Sequence, residues 1–355
     1  MNFNNKILQN DLREIFGSRK DWSMFTNSKI LITGANGFLP AYLVYFFQYL
    51  NYTNPNYNIK VIGLVRNEQK AKICFENIDN NFFKLHVQDV SLPITIDEKV
   101  DYIIHAASQA SPKYYGIDPV GTLNANVLGT INLLEFAKKS TVKSFLYFSS
   151  GEVYGQLSED QIPINENSYG YLDPTNVRSC YAESKRMGEN ICISYCAQFG
   201  INVKIVRPFH TYGPGLDFLD GRVFADFVSN VINKKDIKLT SDGAARRAFC
   251  YLSDATSGFI SILIDGKIGE AYNLGNPKEE FSILELAKIV TSIYPEFNLK
   301  VHVEGKLDDG SKYLKSPINR NSPKIDKIQS LGWVPKISVK EGFKRTIDSF
   351  LKIYI

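Results

Sequence analysis

One strand–turn–helix unit near the start of the chain constrains the fold more than any other feature. Ile30–Thr33 is a short apolar run, Gly34-Ala35-Asn36-Gly37 follows, and a helix-compatible stretch extends from Phe38 to about Leu50. Asn, Pro and Thr across 51–58 signal a loop, and Ile59–Val65 reads as a second strand rich in β-branched residues. Apolar runs recur at Phe82–Val87, Tyr102–His105, Ser144–Ser149 and Asn202–Val206. Helical segments lie between them, notably Thr122–Lys139 and Tyr181–Phe199. Strands that alternate with helices need crossover connections. The expected fold is therefore α/β, a doubly wound parallel sheet covered on both faces.

Composition narrows what such a chain does. The 355 residues are 44% hydrophobic and 22% charged, which suits a packed globular protein and excludes wholesale disorder. A net charge of +4, from 41 Lys+Arg against 37 Asp+Glu with no block of one sign, argues against a nucleic-acid partner. The longest apolar stretches, around Ala41–Phe47 and Phe259–Ile264, fall short of the ~18–20 residues a spanning helix needs, so no membrane role is expected. No basic segment followed by an apolar run opens the chain, and no secretory signal is read. Cys74, Cys180, Cys192, Cys196 and Cys250 are an odd, sparse set, better suited to reduced thiols in a cytoplasm than to disulfides. His86, His105, His210 and His302 lack the spacing that would complete a metal site with them.

Residues 1–28 precede the first strand. Ile7, Leu8, Leu12, Ile15 and Phe16 recur at helical spacing, which predicts a short amphipathic helix packed on the body or on a partner subunit. A Rossmann-type dinucleotide-binding domain is expected over 29–207, with 247–275 returning to it. A smaller α/β substrate lobe takes 208–246 and 276–355, where elements shorten and Gly, Pro and charge increase. Ser282-Ile283-Leu284-Glu285 fits a capping box opening a helix to about Ile293.

Gly34 and Gly37 stand where a dinucleotide fold needs backbone amides close to a pyrophosphate, at the positive end of a helix. Pro40 replaces the third glycine of that fingerprint, and proline is tolerated in a first helical turn. The second strand ends in Arg66 rather than in the acid that would hold an NAD ribose hydroxyl. An arginine there pairs with a 2′-phosphate, so the coenzyme is expected to be NADP or NAD, leaning to NADP. Asp89, after the third strand, is a candidate adenine contact.

Ser150 and Glu152 follow a strand end, and Tyr181-Ala182-Glu183-Ser184-Lys185 opens a helix. Tyr and Lys four apart share a helix face, so an ammonium can sit near a phenol. A free tyrosine titrates near ~10, and bringing it to ~7 asks the site for ~4 kcal/mol. With Ser150 donating to the substrate oxygen, this is a constellation for proton transfer coupled to hydride transfer.

Carried by these residues, the chain resembles the extended short-chain dehydrogenase/reductases that modify nucleotide sugars, over about residues 29–345. Ser150, Tyr181 and Lys185 fall at that family's catalytic triad. His105-Ala106-Ala107 is similar to its coenzyme-lining strand end, Tyr272-Asn273-Leu274-Gly275 to a late structural motif, and Leu331-Gly332-Trp333-Val334-Pro335 to its C-terminal signature. Within the class the pattern looks most like UDP-glucuronate decarboxylases. Ala110-Ser111-Pro112 with Tyr115, Arg178 before Cys180-Tyr181, Asp220-Gly221-Arg222-Val223 and Arg247-Ala248-Phe249 keep their spacing.

The resemblance implies coenzyme contacts from Gly34, Asn36, Gly37, Phe38, Leu39, Arg66, Asp89, Val90, Ala106, Ala107, Ser108, Asn126 and Pro208, with Tyr181 and Lys185. It implies substrate contacts from Ser111, Tyr115, Ser150, Gly151, Glu152, Arg178, His210, Arg222, Val223 and Arg247, the last arginine and Arg222 on the nucleotide diphosphate. It further implies a homodimer built through the helices near Thr122–Lys139 and Tyr181–Phe199. Gly151 stands where sugar 4,6-dehydratases carry an aspartate, which argues against dehydration. Arg66, His210 and Gly215 depart from the decarboxylase pattern. They keep open a 4-keto-sugar reductase or a 4-epimerase, and a non-catalytic coenzyme-binding protein stands as a third alternative.

Overall fold

A computed structural model describes residues 3–305 and 318–351. The parts of the expected C-terminal lobe at 306–317 and 352–355 lie outside the described residues. In chain order the elements begin with α1 (Lys6–Phe16), β1 (Lys29–Thr33), α2 (Phe38–Thr53), β2 (Lys60–Val65), α3 (Glu68–Cys74), β3 (Phe83–Val87) and β4 (Tyr102–His105). Next come α4 (Pro119–Asn126), α5 (Leu128–Ser140), β5 (Ser144–Phe148), α6 (Cys180–Phe199), β6 (Val203–Pro208), β7 (His210–Tyr212), α7 (Val223–Ile232) and β8 (Ile237–Leu239). The chain continues with β9 (Arg246–Tyr251), α8 (Leu252–Asp265), β10 (Ala271–Leu274), β11 (Glu280–Ser282), α9 (Ile283–Thr291), β12 (Val301–Val303), β13 (Arg320–Asn321), α10 (Asp326–Gln329) and α11 (Val339–Leu351).

Seven strands form one parallel sheet in the order β10-β6-β5-β4-β1-β2-β3. The order reverses between β1 and β4, and such a switch point leaves a crevice beyond the strand ends where ligands bind. Because helices cover both faces, the inner strands are continuous apolar runs rather than alternating ones; β5 is buried along its whole length. One apolar core lies between the sheet and α2 and α8, and a second lies under α5 and α6 on the other face. A smaller sheet, β11-β9-β13 with β7 on β9, and the β12-β8 pair are packed with α7, α9 and α11 around a third core. β9 thus belongs to the smaller sheet, whereas α8 and β10 join the large one.

The expected helix over Thr122–Lys139 is two helices. Asp118 accepts the Gly121 amide at 3.0 Å and Pro119 fills the first helical position, so the segment starts earlier than the apolar pattern indicates. The break falls at Val127 (φ −99, ψ −65), beside the Asn126 carbonyl, which accepts the Thr130 hydroxyl at 2.5 Å. The capping box at Ser282 is present, with Ser282 Oγ accepting the Glu285 amide (3.1 Å) and Glu285 accepting the Ser282 amide (2.7 Å); its helix stops at Thr291.

The predicted N-terminal helix forms and covers the outer side of α2. Leu8, Leu12 and Ile15 are buried, each contributing roughly 1.5–3 kcal/mol. Asp11 on the same face accepts hydrogen bonds from Tyr42 of α2 (2.8 Å), Tyr251 at the end of β9 (2.8 Å) and Arg345 of α11 (3.0 Å). Among the described residues no helix is long and apolar enough to cross a membrane.

Candidate active site

The switch point opens into a cleft of ≈ 2320 Å³ that runs from the glycine turn across to the smaller sheet. At its glycine-turn end, Gly34 adopts φ +62, and a Cβ there would stand 2.9 Å from the Ala107 Cα, so only glycine lets the turn close on the β4 end. Gly37 begins α2 with no side chain capping the first turn, which leaves helix amides for a ligand at the cleft wall. Pro40 occupies that first turn, where its missing N–H breaks no intrahelical bond. Asn36, Phe38, Leu39, Val90, Ala106, Ala107, Ser108 and Pro208 line the same cleft. The Ser108 hydroxyl is buried without a hydrogen-bond partner. A glycine cradle, uncapped amides and an orphaned hydroxyl fit a dinucleotide.

Behind this wall, His105 bridges Thr33 (Nδ1 to Oγ1, 2.9 Å) and Thr130 (Nε2 to Oγ1, 3.1 Å), and burial lowers its pKa to about 3. Thr33 Oγ1 accepts the Ala107 amide and Thr130 donates to Asn126, so the neutral ring carries its proton on Nε2. Asn126 departs from expectation. It is not among the residues lining the cleft, and its Nδ2 donates to Ser184 Oγ of the tyrosine helix at 2.9 Å. At the β2 end, exposed Arg66 lies 3.8 Å from Asp89, and both line the cleft together with Lys70.

Ser150, Tyr181 and Lys185 meet at the middle of the cleft. Tyr181 stacks on Tyr115 with ring centres 5.0 Å apart and planes at 14°. Lys185 donates to the Phe148 carbonyl at 2.6 Å and lies 5.9 Å from the Tyr181 ring. Burial pushes the Tyr181 phenol up to about 12, with Glu152 adding to the rise while the Ser150 hydrogen bond and Arg222 oppose it. Desolvation here outweighs the Ser150 hydrogen bond and Arg222, so a phenol near ~7 needs more positive charge than these groups supply. Burial likewise lowers Lys185 to about 7.

Toward the smaller sheet the wall carries three arginines. Arg178 pairs bidentately with Glu152 (3.0 and 3.2 Å) and lies over the Tyr115 ring. Arg222, beside Val223 at the start of α7, pairs with Asp220 at 2.8 Å. Arg247 donates to the carbonyls of Arg246, Ile318 and Asn319. His210 lies among them with Nδ1 unpartnered, its pKa held well below the usual range by burial and by Arg247 and Arg222. Ser111 closes the cleft by donating to the Asp220 carbonyl at 2.5 Å, and Gly151 packs against Phe209. Sequence spacing does not reveal Lys70, Asp226 or the Thr240–Asp242 wall, because these join the cleft only through tertiary packing. No cluster of potential metal ligands occurs among the described residues.

Sheet order, glycine turn and tyrosine-bearing cleft define a dinucleotide-binding α/β protein. The NAD dependent epimerase/dehydratase family matches residues 30–275. UDP-glucuronic acid decarboxylase 6 of Arabidopsis thaliana is 33% identical over 339 residues, covering 92% of this chain and 89% of that one. UDP-glucuronic acid decarboxylase 1 of Danio rerio is 33% identical over 336 residues, covering 94% and 74%. Among solved structures, the UDP-glucuronic acid 4-epimerase of Bacillus cereus, in complex with UDP-glucuronic acid and NAD, has a TM-score of 0.74 at 23% identity over 92% of this chain and 100% of that chain. The chain belongs to the NAD dependent epimerase/dehydratase family and is an NAD-dependent enzyme.

Proposed function

We propose that this enzyme decarboxylates a UDP-uronate through transient oxidation at sugar C4. The observation that carries the reading is the convergence of Ser150, Tyr181 and Lys185 at one point of the cleft, with the Glu152–Arg178 pair beside them. The identity to UDP-glucuronic acid decarboxylases along nearly the whole chain supports the substrate. The coenzyme, when bound, supplies the hydride acceptor for C4 and the hydride that later returns.

Tyr181 takes the proton of the 4-hydroxyl, and Ser150 holds the oxygen by a hydrogen bond. Lowering this phenol from about 12 to ~7 requires ~7 kcal/mol of preference for the phenolate. A unit charge ~6 Å away in an effective dielectric of ~20 supplies ~3 kcal/mol, so Lys185 alone falls short and the positive charge of an oxidised nicotinamide is needed as well. The C4 ketone makes the C5 carboxylate a β-keto acid. Its C5–C6 bond breaks, the electron pair enters an enolate, and CO2 leaves. Glu152 orients the ring or relays the proton that C5 regains. Arg222 and Arg247 engage the nucleotide diphosphate.

Arg66, with Lys70 nearby, supports NADP over NAD as the coenzyme taken up. Leu123 and Leu128 on α4 and α5, and Met187 and Ile193 on α6, remain exposed and support a homodimer through these helices. Five unpaired cysteines fit a cytoplasmic setting. A second reading follows from Gly215, which puts no cation into the cleft wall: a neutral 4-keto sugar would then be reduced, or a 4-epimer formed.

Incubation with UDP-glucuronic acid, and separately with a neutral nucleotide 4-keto sugar and NADPH, separates these readings. Release of CO2 without net coenzyme consumption supports decarboxylation, loss of NADPH marks a reductase, and isomer exchange alone marks an epimerase. Tyr181→Phe should lower turnover at least ~10³-fold while coenzyme binding persists. Unchanged turnover in that variant would remove the assignment of Tyr181.

A further inference from the structure

We propose that the Glu189–Arg207 pair, its arginine buried and its glutamate nearly so, is the positioning element that sets Tyr181 against Ser150. The inference rests on the reading above, in which those two residues act together on one hydroxyl. Glu189 lies on α6 four residues after Lys185 and eight after Tyr181, along one stripe of the helix. Its carboxylate accepts Arg207 Nε at 2.8 Å and Nη2 at 2.6 Å, and also the Ser149 hydroxyl. Arg207 projects from β6, and its Nη1 donates to Tyr154 Oη (2.9 Å) and to the Glu166 carbonyl (2.8 Å). Tyr154 donates onward to Asn273 Oδ1 at 2.5 Å, and the Ser149 amide donates to the Val206 carbonyl at 2.8 Å.

One carboxylate therefore joins the tyrosine helix, the serine-bearing end of β5 and the neighbouring strand β6. Through Tyr154 it also reaches the turn that follows Ser150. Neither Glu189 nor Arg207 lines the cleft, so both act through other residues. An apolar pair of similar volume would hold the helix to the sheet at lower desolvation cost. What a bidentate pair adds is a fixed distance and orientation, the quantity on which the Ser150–Tyr181 hydrogen bond depends.

Two variants test this. Glu189→Gln removes the charge but leaves Arg207 buried, which can prevent folding. Ser149→Ala cuts only the tie to the serine strand and keeps the ion pair. For CO2 release from UDP-glucuronate, kcat should fall about 10-fold in Ser149→Ala and about 100-fold in Glu189→Gln, with KM and NAD affinity changed less than about twofold. A second readout needs no turnover. In NAD-loaded protein, the phenolate absorbance of each variant minus its Tyr181→Phe counterpart should show Tyr181 ionising at higher pH than in the parent, because its serine hydrogen bond is lost. If the parent releases no CO2, the proposed reaction fails while the titration still reads the positioning. Parental kcat, or an unshifted Tyr181 titration, in Ser149→Ala together with any folded Glu189→Gln would overturn the inference.

Discussion

Lys185 must keep its ammonium to hold a phenolate, yet its burial lowers the group to about 7. Half the free enzyme has then lost that charge near neutrality, so kcat/KM should decline as pH rises through about 7. In Lys185→Arg the guanidinium stays charged, and the alkaline decline should vanish from whatever activity remains; an unchanged profile would assign the limb to another group. Asp11 shows the opposite case. Burial raises it from 3.8 to about 6, so the folded state holds a proton that the unfolded chain releases. Its stabilising contribution is complete below the unfolded value and is lost as pH rises through about 6, a change of ~3 kcal/mol. The unfolding free energy of wild type minus Asp11→Asn, from urea melts, should fall by that amount between about pH 4 and about pH 8. A constant difference would mean that Asp11 stays ionised. At this scale the spacing of Tyr181 and Lys185 was readable in the chain, but their titration was not, because desolvation depends on what covers them.

The glycine turn, the capping box at Ser282 and the strand–helix alternation are local signals, and each of these elements forms where its residues indicate. The break at Val127 was hidden, since the Thr130 hydroxyl that bonds the Asn126 carbonyl beside it sits within a helical pattern that looks continuous. The same limit applies to Asn126, whose hydrogen bond to Ser184 depends on how α4 packs on α6. At the end of β2, Arg66 is exposed and faces Asp89 across the cleft wall. Arg66→Asp would set two carboxylates against any 2′-phosphate. The ratio of NADP to NAD affinity, measured by calorimetry, should fall at least ~10-fold, which is ~1.4 kcal/mol. An unaltered ratio would show that Arg66 does not read the ribose.

For the whole molecule, the large sheet and the smaller one share a single cleft, with Arg178 and Tyr181 reaching it from the first and Arg222 and Arg247 from the side of the second. If α4–α6 pair two copies, Leu128→Asp should convert a dimer to a monomer in light scattering at matched concentration, with the melting temperature falling by a few degrees. A dimer that survives the change would move the interface elsewhere. The N-terminal segment was legible as a helix but not in its consequence. By joining Tyr42, Tyr251 and Arg345 at one oxygen-rich knot, Asp11 fastens the first helix to the last, to α2 and to the end of β9. Losing that one carboxylate would therefore unfasten three elements at once rather than merely fray a terminal helix.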